Sequence, residues 1–147
     1  MKFVSYFVMV ALMALGVSAW AQESIGFVKT VTGEATVTDG GKTVKAVPGT
    51  PIRVNSILKT GPKGTMGVTF KDNQMMSFGP DTELTVDEFL YAPAKGDLKF
   101  AASISKGTLN VVSGVIAKLK PESVSLKTPT GTIGVRGTNY VVKVEPQ

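Results

Sequence analysis

Short segments of alternating apolar and polar residues, separated by turn residues, run along most of the chain and limit the folds it can adopt. Ala35 and Val37 alternate with polar residues, as do Met66, Val68 and Phe70 with polar or small ones. A period of two residues is typical of a strand with one buried face. Turn residues (Gly, Pro, Asp or Asn) separate the segments at 39–41, 48–49, 61–64, 72–73 and 79–80. The pattern predicts an all-β fold of many short strands, arranged as a sandwich, a roll or a β-helical stack.

Only one segment has a helical pattern. Val115, Ile116 and Leu119 could share one face of a helix over residues 112–119. The segment is short and ends before Pro121, so a strand or a single helical turn fits it equally well. Residues 89–100 are interpreted as a longer connection with a wide hairpin loop at 93–97. The lack of sustained helical periodicity disfavours a parallel βαβ architecture.

The amino terminus has the pattern of a secretory signal peptide. Lys2 precedes an apolar run over residues 3–20, and Ala19 and Ala21 form a small-residue cleavage site. We predict cleavage after Ala21, which leaves residues 22–147 as one domain, periplasmic or secreted, with no membrane span. An uncleaved anchor is the alternative, because the run approaches the length of a membrane-spanning helix.

The residue types that are missing exclude several kinds of active site. The chain has no cysteine and no histidine. Disulfides, thiolate nucleophiles, serine–histidine triads and histidine-ligated zinc are therefore excluded. We expect no enzymatic activity, no cofactor and no metal. The charge of +5 comes without clustered arginines or stacking aromatics, so we expect no nucleic-acid partner.

The acidic segment Asp81–Glu88 suggests an alternative function. Its carboxylates could bind calcium or act on a carbohydrate. Glu83 and Asp87 alternate with apolar residues, however, which is typical of the solvated face of a strand. The solvated face is the favoured interpretation, and a carbohydrate-binding or calcium-dependent envelope protein is the alternative.

Segment 127–142 is the most patterned part of the chain. Gly131, Gly134 and Gly137 recur every third residue among strand-forming residues. Such glycines suit positive φ angles or the close approach of another backbone. Arg136 stands among them and has no catalytic partner in the sequence. We interpret the segment as structural and predict that Arg136→Ala costs about 1.5–3 kcal/mol, as expected for a lost charge-assisted hydrogen bond.

Over residues 25–144 the order of these motifs resembles the FecR-type periplasmic domain. Its most specific element is a set of residues close to the carboxyl end: Thr128, Pro129, Gly131, Val135, Arg136, Gly137, Thr138 and Tyr140. The resemblance implies a β-rich envelope domain in which these residues are structural.

In the regulators that give this family its name, such a domain follows a cytoplasmic anti-sigma segment and a membrane helix, and it relays a signal from an outer-membrane transporter. Only the predicted signal peptide precedes residue 22 in this sequence, so we expect no sigma-factor partner. The resemblance therefore implies a stand-alone module that binds or scaffolds an envelope protein or polymer, with a possible link to envelope signalling.

Overall fold

Twelve β-strands and one short helix make up the fold in a computed structural model that describes residues 23–135 and 137–145. The predicted signal peptide and Arg136 lie outside the described residues. The strands are β1 Gly26–Thr32, β2 Ala35–Asp39, β3 Lys42–Lys45, β4 Pro51–Ile52, β5 Ile57–Thr60, β6 Thr65–Phe70, β7 Met75–Phe78, β8 Glu83–Ala92, β9 Asp97–Val112, β10 Val124–Thr128, β11 Gly131–Gly134 and β12 Asn139–Val144. The helix α1 is Val115–Leu119, and 3-10 turns occupy Pro93–Lys95 and Pro121–Ser123. The prediction of an all-β fold is confirmed.

Strand β9 connects two sheets. Its carboxyl-terminal half belongs to sheet 1, in which the order is β4-β1-β6-β7-β9-β12. Its amino-terminal half belongs to sheet 2, in which the order is β3-β2-β5-β8-β9-β10-β11. Pairing is antiparallel throughout, except that β10 runs parallel to β9. Strands β7 and β8 pair in succession along one edge of β9, so the segment from Met75 to Val112 is one long hairpin bent across both sheets.

The two sheets pack face to face through aromatic side chains. Phe70 of sheet 1 lies against Phe89 and Phe100 of sheet 2, with ring centroids 5.9 Å and 5.5 Å away. Phe70 and Phe100 are almost completely buried. Burial of such large apolar side chains is the main favourable term in folding, so this cluster fixes the two sheets together. Phe89 and Phe100 are therefore core residues, and the partly buried Tyr91 packs against them.

The segments that link a strand of one sheet to a strand of the other lie side by side and are hydrogen-bonded to one another. We call this region the corner. The Gly61 amide donates to the Glu34 carbonyl at 2.9 Å, and the Asp81 amide donates to the Gly61 carbonyl at 3.0 Å. Next along the corner, the Gly79 amide donates to the Thr108 carbonyl at 2.9 Å. These bonds satisfy backbone groups that leave the strand ladder where each strand bends.

Gly107 makes the bend of β9 possible. Its φ is +102°, and a Cβ atom there would lie 2.6 Å from Thr82 Cβ and closer still to Thr82 Cα and Oγ1. The Thr82 hydroxyl is occupied as well, because it accepts from the Thr108 amide at 3.0 Å and donates to the Gly79 carbonyl at 2.9 Å. Both the backbone angle and the space require glycine at this position.

A buried carboxylate fastens helix α1 to the β6–β7 turn. Asp72 is 1% exposed, and its side chain accepts from the amides of Gln74 at 3.2 Å and Ile116 at 3.4 Å. The Asp72 carbonyl accepts from the Val115 amide at 2.7 Å. Burial raises the pKa of Asp72, and these backbone donors only partly oppose that effect. The turn thus satisfies the first amides of helix α1, which is followed by the 3-10 turn Pro121–Ser123 and then β10.

Two local predictions differ from the structure. Residues 89–92 continue strand β8 and pair with β9 as far as Ala92 and Asp97, so the expected wide loop is a tight hairpin closed by a 3-10 turn. Helix α1 begins only at Val115, and Leu119 is 62% exposed whereas Ile116 is completely buried. Of the three apolar residues predicted to share a helix face, Ile116 is the buried one.

Candidate functional site

The hairpin β10–β11 carries the first half of the motif segment. Thr128 pairs with Gly131, and Pro129 and Thr130 form the turn between the two strands. The Thr128 hydroxyl donates to the Gly131 carbonyl at 3.0 Å, which stabilises the turn. Proline suits the second position of such a turn because its φ is already fixed. The motif residues Thr128 and Pro129 therefore shape the hairpin that presents β11.

The second half of the motif returns the chain to sheet 1. Residue 137 has a φ of +119°, which explains why it is a glycine. Ser113, just after β9, holds this return: its hydroxyl donates to the Gly137 carbonyl at 2.9 Å, and its amide donates to the Thr138 carbonyl at 2.8 Å. Val135 is 5% exposed and belongs to the core. Burial raises the pKa of Tyr140 to about 12, so its phenol stays neutral at physiological pH.

Strand β11 forms an open edge of sheet 2. Among the described residues it pairs only with β10, and all four of its residues are exposed. A Cβ atom at Gly131 or Gly134 would meet nothing within 4 Å, and neither glycine is among the described residues with positive φ. Neither packing nor backbone geometry demands glycine at these two positions. The pair leaves bare backbone at both ends of a strand, which permits the close approach of another backbone.

Two grooves run along this edge toward β12. One, of about 510 Å³, lies between residues 128–133 and residues 142–145. A smaller groove of about 290 Å³ lies between residues 133–135 and residues 140–143. Strand β12 is the last strand of sheet 1 and pairs only with β9 among the described residues. Two sheet edges therefore border one surface cleft. Ile133 is the large apolar side chain that β11 contributes to this cleft, and it is 37% exposed.

The other sheet edges carry features that oppose strand addition, whereas β11 does not. Strand β3 begins and ends with lysine, β4 is two residues long and contains Pro51, and β12 contains Lys143. Charges, proline and short length are the usual protection of an edge strand. Strand β11 has only Thr132 and Ile133 between its glycines. This signal was already present in the sequence, but it is informative only once the edges are known.

The acidic segment does not form a convergent site. Glu88 Oε2 pairs with Lys99 Nζ at 2.6 Å, and Asp87 accepts from the Ser103 hydroxyl at 2.5 Å. Glu83 lies 3.4 Å from the Ser105 hydroxyl. Asp81 stands apart at the corner, with a φ of +52°. In residues 23–135 and 137–145 no three acidic, histidine or cysteine side chains gather in a way that could hold a metal.

Comparison with known protein families matches residues 56–147 to the family described as FecR protein. The match covers β5 to β12, including the corner, the long hairpin and the whole motif segment. No curated protein and no solved structure matches the chain. In the part of the chain that the structure describes, no helix is long and apolar enough to cross a membrane. Since the matched region is well over half of the sequence, the chain belongs to the FecR protein family.

Proposed function

We propose that this chain is a non-enzymatic binding module of the cell envelope that holds an extended segment of another protein against the open edge of β11. Membership of the FecR family supports the general setting, because it suggests a signalling-related, envelope-associated domain. The observation that carries the proposal is the unprotected edge of β11, which has bare glycine at both ends and a cleft beside it.

The physical basis is strand addition. An edge strand presents unpaired backbone N–H and C=O groups, which an incoming extended peptide can satisfy as a neighbouring strand would. Main-chain bonds give such a complex its affinity, and side-chain pockets give it specificity. Here the cleft toward β12 would receive every second side chain of the incoming peptide. Ile133 and the partly buried Tyr140 offer that side chain an apolar wall.

The chain offers a matched pair of positions for the test. Ile133 on β11 and Val44 on β3 are both β-branched edge residues, 37% and 39% exposed. A photo-reactive amino acid placed at each position, in cells that make the protein, should give a discrete protein adduct at 133 and none at 44. Ile133→Lys should then abolish recovery of the adduct protein with the wild-type bait, because a lysine protects an edge. Val44→Lys should leave recovery unchanged.

Equal adducts at both positions, or unchanged recovery with Ile133→Lys, would contradict the assignment of this edge. Circular dichroism of Ile133→Lys separates loss of binding from loss of folding. Since Ile133 is exposed, we expect the variant to keep its strand signal.

A further inference from the structure

The outer face of sheet 1 has an apolar row at its centre. Strand register places Phe27, Thr69, Met75 and Val112 side by side across β1, β6, β7 and β9. Phe27 is 49% exposed and Met75 is 41% exposed, because both point away from the core. Val141, at 66%, extends the same face on β12. The row spans about 14 Å, since neighbouring strands lie about 4.8 Å apart.

Water is already excluded from part of this row. Among the described residues, the Thr69 hydroxyl is the buried side-chain oxygen or nitrogen without a hydrogen-bond partner. Thr69 lies directly between Phe27 and Met75 in the register of the three strands. A hydroxyl that points to the outside of a sheet is normally hydrated, so its burial indicates that apolar side chains close over it. Phe27 and Met75 therefore belong to one apolar cluster around Thr69, and Val141 lies beyond the neighbouring Asn110 on the same face.

Within the strands, the charges on this face have one sign. The two glutamates beside the face lie outside the strands: Glu145, and Glu23, whose carboxylate is 2.8 Å from Lys71 Nζ. Its exposed positions on β1, β6, β7, β9 and β12 include Lys29, the extra residue of a bulge in β1, and Lys143. No aspartate or glutamate lies in β1, β6, β7, β12 or the carboxyl-terminal half of β9. Glu145 follows β12 with its carboxylate 3.9 Å from Lys143, and both side chains are more than 70% exposed, so the pair is weak. The outer side of sheet 2 differs, because Glu83 and Asp87 accompany its lysines.

We propose that the outer face of sheet 1 docks on an anionic lipid surface. Phe27, Met75 and Val141 supply apolar area for the interfacial region, and the lysines attract lipid head groups that carry negative charge. A second copy of the chain is a poorer occupant, because a two-fold face-to-face contact brings the lysines of the two copies together. This face is on the opposite side of sheet 1 from the core. Val141 and Lys143 also line the grooves beside β11, whereas Phe27, Lys29 and Met75 lie outside both grooves.

Vesicle sedimentation tests the proposal with probes of defined composition. The purified protein is mixed with vesicles of phosphatidylglycerol or of phosphatidylcholine. Mass spectrometry of its amino terminus first shows whether the apolar leader has been retained. We expect binding to the first that weakens as salt is added, and little binding to the second. Lys143→Gln and Lys29→Gln should each lower the partition coefficient about fivefold, which corresponds to about 1 kcal/mol per lysine.

Matched variants on the other sheet provide the control. Phe27→Ser should reduce vesicle binding at least tenfold, whereas Leu90→Ser, at a residue 52% exposed on β8, and Lys59→Gln on β5 should not change it. Absence of binding to phosphatidylglycerol would overturn the proposal, and so would equal losses with the sheet 2 variants. A concentration-dependent dimer in analytical ultracentrifugation that Phe27→Ser abolishes would assign the face to a second copy instead. Phe27 and Lys29 line neither groove beside β11, so Phe27→Ser and Lys29→Gln test this face independently of the β11 assignment.

Discussion

Gly107→Ala should destabilise the protein strongly, because it perturbs the bend through which β9 joins the two sheets. An L-residue forced into a left-handed conformation costs about 1–2 kcal/mol. The new methyl group would also overlap Thr82, which must move. Thr82 would then lose its bonds with the Gly79 carbonyl and the Thr108 amide, each worth about 1 kcal/mol net. The sum is about 3–4 kcal/mol, a large part of the stability of a typical domain.

Substitutions at two other glycines separate the cost of backbone strain from the cost of the overlap with Thr82. Gly49 has a φ of +95° with nothing within 4 Å of a Cβ atom, so Gly49→Ala should show the backbone strain alone, about 1–2 kcal/mol. Gly131 has open space and is not among the residues with positive φ. Gly131→Ala should therefore be neutral, or stabilising by up to about 1 kcal/mol through the unfolded state.

Urea unfolding followed by far-ultraviolet circular dichroism measures all three variants. Fluorescence is less suitable because the sole tryptophan is Trp20, in the predicted signal peptide. The reasoning requires the order Gly107→Ala, then Gly49→Ala, then Gly131→Ala, from most to least destabilised. A Gly107→Ala variant no less stable than Gly49→Ala would show that the corner accommodates a methyl group, and it would refute the account of the bend.

Three further predictions concern other parts of the fold. Burial raises the pKa of Asp72, so the contribution of this side chain to stability is full at acidic pH and is lost as pH rises through that pKa. The free energy of unfolding of Asp72→Asn, measured by urea titration, should therefore increase relative to that of the wild type from pH 4 to pH 7. The opposite trend would contradict the burial argument. Phe100→Ala should cost about 3–5 kcal/mol by the same assay, because it opens a cavity between Phe70 and Phe89, and a loss under 1 kcal/mol would show that the sheets repack. Arg136→Ala should lower the melting temperature without selectively abolishing partner binding, and normal stability with lost binding would reverse its structural assignment.

Much of the core could be predicted from alternation alone. Met66, Val68 and Phe70 are buried on β6, and the Asp72–Asn73 turn leads into β7 as the turn residues indicate. Alternation is a local property, because successive side chains of a strand point to opposite faces whatever strand pairs with it. The predicted connection at residues 89–92 was wrong for a non-local reason: those residues continue β8 because β9 extends alongside them.

The candidate site shows the same division. The sequence indicated that segment 127–142 is unusual, and it identified the family through residues that the structure finds in a turn, in the core and in a left-handed return: Pro129, Val135 and Gly137. It gave no means of separating Gly137, which needs its φ of +119°, from Gly131 and Gly134, which have ordinary space around them. Only the backbone angle and the neighbours of each position make that distinction.

The sequence by itself determined that this chain is all-β, that it lacks the side chains of histidine and cysteine chemistry, and that it belongs with FecR-type domains. Composition and period-two alternation are sufficient for those conclusions, since they depend on residue types and near neighbours. The tertiary structure alone decided that the links between the sheets meet at a common corner and that β9 serves both sheets. It also decided that β11 pairs only with β10 among the described residues, and that Phe27, Met75 and Val141 share an outer face. Strand neighbours are set by pairings between residues far apart in the chain, and no local pattern specifies which edge is left without a partner.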